Sequence, residues 1–175
     1  QEHGPKLSQK NEYEKIQKIA IKHLEPRVNS LKPYLNKNTH LLDVGCSTGE
    51  FLNKLSKFSE LHLYGIDTDS DAISIAKTKG KSSINFINTD IINYQTDLKF
   101  DCIIFRGSFQ FLGHDLKETF KKISKISSKN CKIIIYSLPN SDSILYYLLK
   151  DNWHLFDKFS QTLIFHEQGL AHNFS

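Results

Sequence analysis

In the stretch LLDVGCSTGEF, residues 41–51, an apolar run carries an acid, Asp43, and then two glycines four positions apart, Gly45 and Gly49. A buried carboxylate costs free energy unless something pairs with it. An acid at the end of such a run is therefore read as facing a ligand. Glycine tolerates positive φ and lets backbone come close to a bound molecule, so this stretch is a candidate ligand-facing loop. Two nucleotide fingerprints fail on it. The dinucleotide pattern wants a glycine where Ser47 stands, and the phosphate loop wants a lysine after its second glycine, where the chain has Glu50. Asp43 and Glu50 would also surround a pyrophosphate with negative charge. A cationic or zwitterionic ligand suits the loop better.

Other chemistry-bearing residues are sparse. Cys46, Cys102 and Cys131 share no CxxC spacing and each lies in or beside an apolar run, which argues against a disulfide framework or a zinc site. His154, His166 and His172 fall in an aromatic-rich carboxyl segment and read as packing or surface residues. Net charge is +4, from 23 basic and 19 acidic residues, with only two arginines, Arg27 and Arg106. Scattered lysines without clustered arginine give little basis for nucleic-acid readout.

The elements that must hold the loop are set by periodicity. Apolar runs at residues 41–44, 61–66, 84–87, 102–105 and 132–137 read as strands buried on both faces. Between them Phe51, Leu52 and Leu55 mark one helix, and Ala72, Ile75 and Ala76 a second with Gly80 as its left-handed cap. Leu116, Phe120, Ile123 and Ile126 mark a third, with residues 121–130 as its wet face and end. A leading helix is expected over 12–24, with Pro26 and Pro33 interrupting the chain after it, and another at 144–149. Alternating strand and helix predicts an α/β fold: a doubly wound, mainly parallel Rossmann-like sheet with helices on both faces. At 175 residues and 39% hydrophobic composition it needs one core. The expected organisation is an amino-terminal helical segment at 1–38, a ligand-binding core at 39–140, and a helix plus aromatic-rich pocket cover at 141–175. In such sheets ligands bind beyond the carboxyl ends of the strands, which is where the Asp43–Gly49 loop falls.

The ordered series LLDVGCSTGEF, LYGIDTD, NFINTDI, FDCIIFRGSFQFL and KIIIYSLPN resembles class I S-adenosylmethionine-dependent methyltransferases over residues 39–140. The tail, with Trp153, is similar to small-molecule methyltransferases of the ubiquinone-biosynthesis-like type. The resemblance implies S-adenosylmethionine as cofactor, with S-adenosylhomocysteine as product. It implies that Gly45, Cys46, Ser47 and Gly49 admit the methionine part and that Asp43 accepts hydrogen bonds there. Asp67 would accept from the ribose hydroxyls, Thr68 would touch the adenosine edge, and Asp90 would accept from the adenine amino group with Ile91 beside it. Arg106 would line the methyl-bearing side, with Ser108, Phe109 and His114 in the substrate pocket. No catalytic base and no metal are assigned.

Two departures from the family pattern stand out. Ser47 replaces the central loop glycine, at a cost of about 1 kcal/mol or more if its φ is positive. Gln110-Phe111 replaces a frequent Glu-His pair. The resemblance also implies a further helix and two strands after the closing HNFS, so either the tail is abbreviated or more polypeptide belongs to the native protein, and the second is expected. The reading is methyl transfer to a small-molecule acceptor. A catalytically silent binding module and an RNA methyltransferase stay open as rivals. No stretch reaches the ~20 apolar residues of a membrane span, and the expected compartment is the cytoplasm.

Overall fold

A computed structural model describes residues 24–58, 60–112 and 116–136. Helix α1 (Leu24–Leu31) runs into a 3-10 turn (Lys32–Tyr34), followed by β1 (His40–Val44), α2 (Glu50–Leu55), β2 (His62–Asp67), α3 (Ser70–Lys79) and β3 (Ile84–Asn88). Then come β4 (Phe100–Arg106), a second 3-10 turn (Phe109–Phe111), α4 (Leu116–Ile126) and β5 (Ser127–Tyr136). The strands order as β3-β2-β1-β4-β5, and every pair is parallel. The winding reverses between β1 and β4, so the carboxyl ends of those two strands flank the natural ligand crevice of this topology.

Alternation along each strand feeds two cores. Leu41, Leu63, Cys102 and Ile104 point to the face covered by Val28 and Leu31 of α1, Phe51, Leu52 and Leu55 of α2, and Ile73 and Ala76 of α3. Leu42, Val44, Ile66, Ile103 and Phe105 point to the other face, where Ile123 and Ile126 of α4 and the segment carrying Ile91 and Tyr94 cover them. Phe51, Phe100, Phe105 and Phe109 are all essentially inaccessible. Burying such a side chain stabilises the fold by about 1.5–3 kcal/mol. The expected doubly wound fold is what forms.

Four local expectations are corrected. Pro26 does not interrupt α1: it is the third of the eight described residues of that helix. Gly80 caps α3 in an extended conformation, φ −73° and ψ 156°, not a left-handed one. A Cβ there would lie 2.5 Å from the Ala76 carbonyl oxygen and 2.6 Å from the Phe86 ring, so crowding explains the glycine. In α3 it is Ile73 that is buried beside Ala72 and Ala76, with Ile75 only partly covered. Residues 127–130, expected to end a helix, are the first residues of β5. Ser127 pairs with Phe100 across a register shift between Phe100 and Cys102, a pairing no apolar run announces. The helices expected over 12–24 and 144–149, and the segment 141–175, lie outside the described residues apart from Leu24, the first described residue of α1.

Candidate functional site

The loop after β1 is built from left-handed backbone. Gly45 (φ 79°), Ser47 (φ 50°) and Gly49 (φ 75°) all lie in that region. It turns the chain sharply enough for α2 to begin at Glu50 with its amino end against the strand ends. A Cβ on Gly45 would collide with Ser108, and one on Gly49 would lie 2.5 Å from the Phe86 ring, so bare backbone is required at both. Ser47 carries the strain that its position in the motif threatened.

What holds the loop is the end of β2. The Gly45 and Cys46 N–H groups donate to the Ile66 carbonyl at 2.8 and 3.0 Å. The Ser47 N–H donates to Asp67 Oδ2 at 2.8 Å, and the Asp69 N–H donates to Oδ1 at 2.9 Å. Asp67 is thus both the last residue of β2 and the brace of the loop, while its carbonyl accepts from Thr89 N–H and Asn88 Nδ2 at the end of β3. Burial pushes its carboxyl pKa up, against the two backbone donors that stabilise the anion. Helix α3 is capped separately by Asp69, whose side chain accepts from Asp71 and Ala72 N–H. Thr68, between them, is exposed.

Asp90 stands two residues beyond β3 and spans a turn: Oδ1 accepts from Asn93 N–H and Oδ2 from Asn93 Nδ2, each at 2.7 Å. Ile91 is buried in the α4-side core. Cys46 is buried against Gly65, and burial first, then the Asp43 and Asp67 carboxylates, push its thiol far up. That thiol is no nucleophile.

Asp43 is fully buried and Arg106 is 10% exposed, and the two form a side-on pair. Arg106 Nη2 donates to Asp43 Oδ2 at 2.8 Å, and Nε lies 3.2 and 3.3 Å from Oδ1 and Oδ2. The guanidinium carbon sits 4.3 Å above the centre of the Phe51 ring. Ser108 Oγ donates to the Val44 carbonyl. The Phe109 side chain is inaccessible and packs edge-on against Phe105 at 5.0 Å between centroids. His114 lies outside the described residues.

The fold therefore gathers Asp43, Arg106, Ser108 and the loop at the β1/β4 switch point, with Asp67 and Asp90 at the ends of the neighbouring strands. Sequence reasoning missed two contributors, Gly65 and Phe51. Gly65 faces Asp43 in register, and a Cβ there would lie 2.8 Å from both Cys46 Sγ and Leu52 Cδ1. Its place inside an apolar run was the available signal. Phe51 supports Arg106. Gln110, only 5% exposed, has no hydrogen-bond partner for Oε1 among the described residues. No group of three His, Cys, Asp or Glu that could hold a metal ion occurs among the described residues.

A family profile described as "Methyltransferase domain" matches residues 35–164, most of the chain and every strand of the sheet. The chain belongs to that methyltransferase family. A carboxy-S-adenosyl-L-methionine synthase from Campylobacter hominis is 34% identical over 118 residues, covering 63% of this chain and 50% of that protein. Malonyl-[acyl-carrier protein] O-methyltransferase 1 of Ilyobacter polytropus is 28% identical over 158 residues, covering 87% of this chain and 56% of that protein. The chain thus spans about half the length of these curated relatives. Among solved structures, the plantazolicin methyltransferase BpumL, in complex with a pentazolic desmethylPZN analog and SAH, superposes with a TM-score of 0.63 at 23% identity, covering 83% of this chain and 58% of that one. Within this methyltransferase domain no helix among the described residues is long and apolar enough to cross a membrane.

Proposed function

We propose that this domain binds S-adenosylmethionine across the carboxyl ends of β1, β2 and β3 and transfers its methyl group to a small-molecule acceptor. The observation that carries the reading is Asp67. Each of its oxygens accepts one backbone N–H, which leaves a lone pair on each for two further donors. A ribose diol supplies two hydroxyl donors at that spacing. The bare backbone at Gly45 and Gly49 fits a ligand that approaches the loop closely, as the methionine part would beside Cys46 and Ser47.

The remaining assignments extend from this anchor. Thr68 meets the adenosine edge, while Asp90 accepts from the adenine amino group and Ile91, buried in the α4-side core, anchors that turn beside it. Asp43 holds Arg106 at the methyl-bearing side with Ser108 beside them, and the buried Phe109 packs behind them in the core. When bound, the cofactor supplies an electrophilic methyl on a positively charged sulfur. The chain's own task is to hold the acceptor atom in line and to exclude water. Support for a small acceptor comes from relatives named for carboxy-S-adenosyl-L-methionine and malonyl-[acyl-carrier protein]. Isothermal titration with S-adenosylmethionine and S-adenosylhomocysteine tests the pocket, and a methyl-donor turnover screen over small acceptors tests the activity. Binding of both with turnover of an acceptor is expected. Binding without any turnover would leave a cofactor-binding module, and no binding would remove the proposal.

A further inference from the structure

Arg106 is a cation nine-tenths buried with only two of its five N–H donors paired. The side-on pairing commits Nε and one hydrogen of Nη2 to Asp43. The end-on edge, Nη1 together with the outer hydrogen of Nη2, meets no acceptor among the described residues. That edge is itself a planar two-pronged donor with the geometry of a carboxylate. None of its nitrogens is a buried atom lacking a partner among the described residues, so the unpaired edge is the part of the side chain that reaches solvent and is open to a ligand.

The surroundings favour an anion on that edge. Asp43 already neutralises Arg106 from the opposite side, and Phe51 fixes the plane of the guanidinium. A second arginine is brought to the same side of the sheet. Tyr136 ends β5 as the register partner of Arg106, its hydroxyl lies 2.8 Å from Ser30 Oγ of α1, and the Arg27 guanidinium carbon is 5.9 Å from the centre of its ring. Arg27 and Arg106 feel each other: Arg27's pKa is lowered, first by burial and then by the Arg106 charge. The two arginines of the chain thus lie near the carboxyl ends of β4 and β5, Arg27 beside Tyr136 and Arg106 as the register partner of Tyr136. A phosphate dianion suits the open edge of Arg106 less well, since Asp43, Glu50 and Asp67 all lie around the same loop.

Resting on the proposed function, we infer that the open edge of Arg106 is a carboxylate-binding subsite. The carboxylate belongs either to the amino-acid end of the cofactor or to the methyl acceptor. Arg106→Lys keeps a positive charge beside Asp43 and removes the fork. Its Kd for S-adenosylhomocysteine is to be compared by calorimetry with that for 5′-methylthioadenosine, an adenosine thioether without the amino-acid end. Malonate, added to protein saturated with S-adenosylhomocysteine, probes the acceptor side.

A loss of about tenfold or more for S-adenosylhomocysteine, with methylthioadenosine unchanged, supports the subsite and places the cofactor's carboxylate there. Malonate binding in wild type that disappears in R106K supports it and places the acceptor's carboxylate there. Equal weakening of both nucleosides, or no change in either arm, overturns it. If R106K fails to unfold cooperatively, the neutral pair Asp43→Asn with Arg106→Gln carries the same comparison. Wild-type protein that binds neither nucleoside contradicts the proposed function instead. Malonate titration of ligand-free wild type and R106K then decides the subsite alone, and it falls if malonate does not bind or binds both equally.

Discussion

Ser47 holds a backbone conformation, φ 50°, that costs a residue with a side chain about 1–2 kcal/mol. It keeps that shape because its N–H is needed on Asp67. Ser47→Gly should therefore stabilise the free protein by about 1 kcal/mol, less what glycine adds to the entropy of the unfolded chain, and chemical denaturation will read the gain. Asp67 makes a second prediction at this scale. Burial raises its carboxyl pKa above the ordinary 3.8, so the folded state binds that proton more tightly than the unfolded one. Between 3.8 and the raised value this group's contribution to stability falls as pH rises. Hydrogen-bond acceptance from a ribose needs the anion, so affinity for S-adenosylhomocysteine should change the opposite way, weakening as pH drops through the same window. Parallel titrations of unfolding and of binding will show whether the two signs oppose. Asp67 was legible in the sequence as an acid ending an apolar run. Its role as a brace for Ser47 was not, because nothing in local spacing says which N–H groups a folded loop will aim at it.

At the scale of elements, the Asp43–Arg106 pair ties β1 to β4 across the switch point. Removing one partner of a buried pair strands a charge and costs about 3–5 kcal/mol, whereas replacing both can be nearly neutral. Asp43→Asn and Arg106→Gln should each destabilise strongly on their own and much less together. A double-mutant cycle by urea unfolding should give a coupling of about 1–3 kcal/mol. The acid within an apolar strand is explained by this partner, 63 residues away in sequence. Periodicity found β1, β2 and β4 as apolar runs and β3 by Ile84, Phe86 and Ile87, although β3, at the edge of the sheet, buries only Ile84 and Phe86 and is not covered on both faces as expected. It misplaced the start of β5, since residues 127–130 are polar and join the sheet through backbone pairing with the irregular start of β4. Gly65 shows the same limit. Mid-strand it reads as a weak spot, yet its missing side chain makes room for Cys46 and Leu52. Gly65→Ala should cost about 1–3 kcal/mol as an overpacked core, measurable as a lowered unfolding midpoint.

For the whole molecule, the parallel, doubly wound sheet with helices on both faces was readable because alternating buried strands and amphipathic helices admit few right-handed windings. Its order β3-β2-β1-β4-β5 came only from the structure. The chemistry was readable only as far as motif order carried it. Loop, Asp67 and Asp90 sit on one edge of the sheet as a shared ligand would require, but the closing of Arg106 onto Asp43 and its open second edge exist only in three dimensions. A ligand that spans three strand ends should also couple to global stability. S-adenosylhomocysteine at about 100 times its Kd should add roughly 2.7 kcal/mol to unfolding. The central claim is that the β2 carboxylate holds the nucleoside. Calorimetric titration of S-adenosylhomocysteine into wild type, Asp67→Asn and the exposed-site control Asp71→Asn tests it most directly. The account predicts one site per chain, affinity reduced by about tenfold or more in Asp67→Asn, and no change in the control. A wild type that does not bind, or an Asp67→Asn protein that binds as well as wild type, would contradict it.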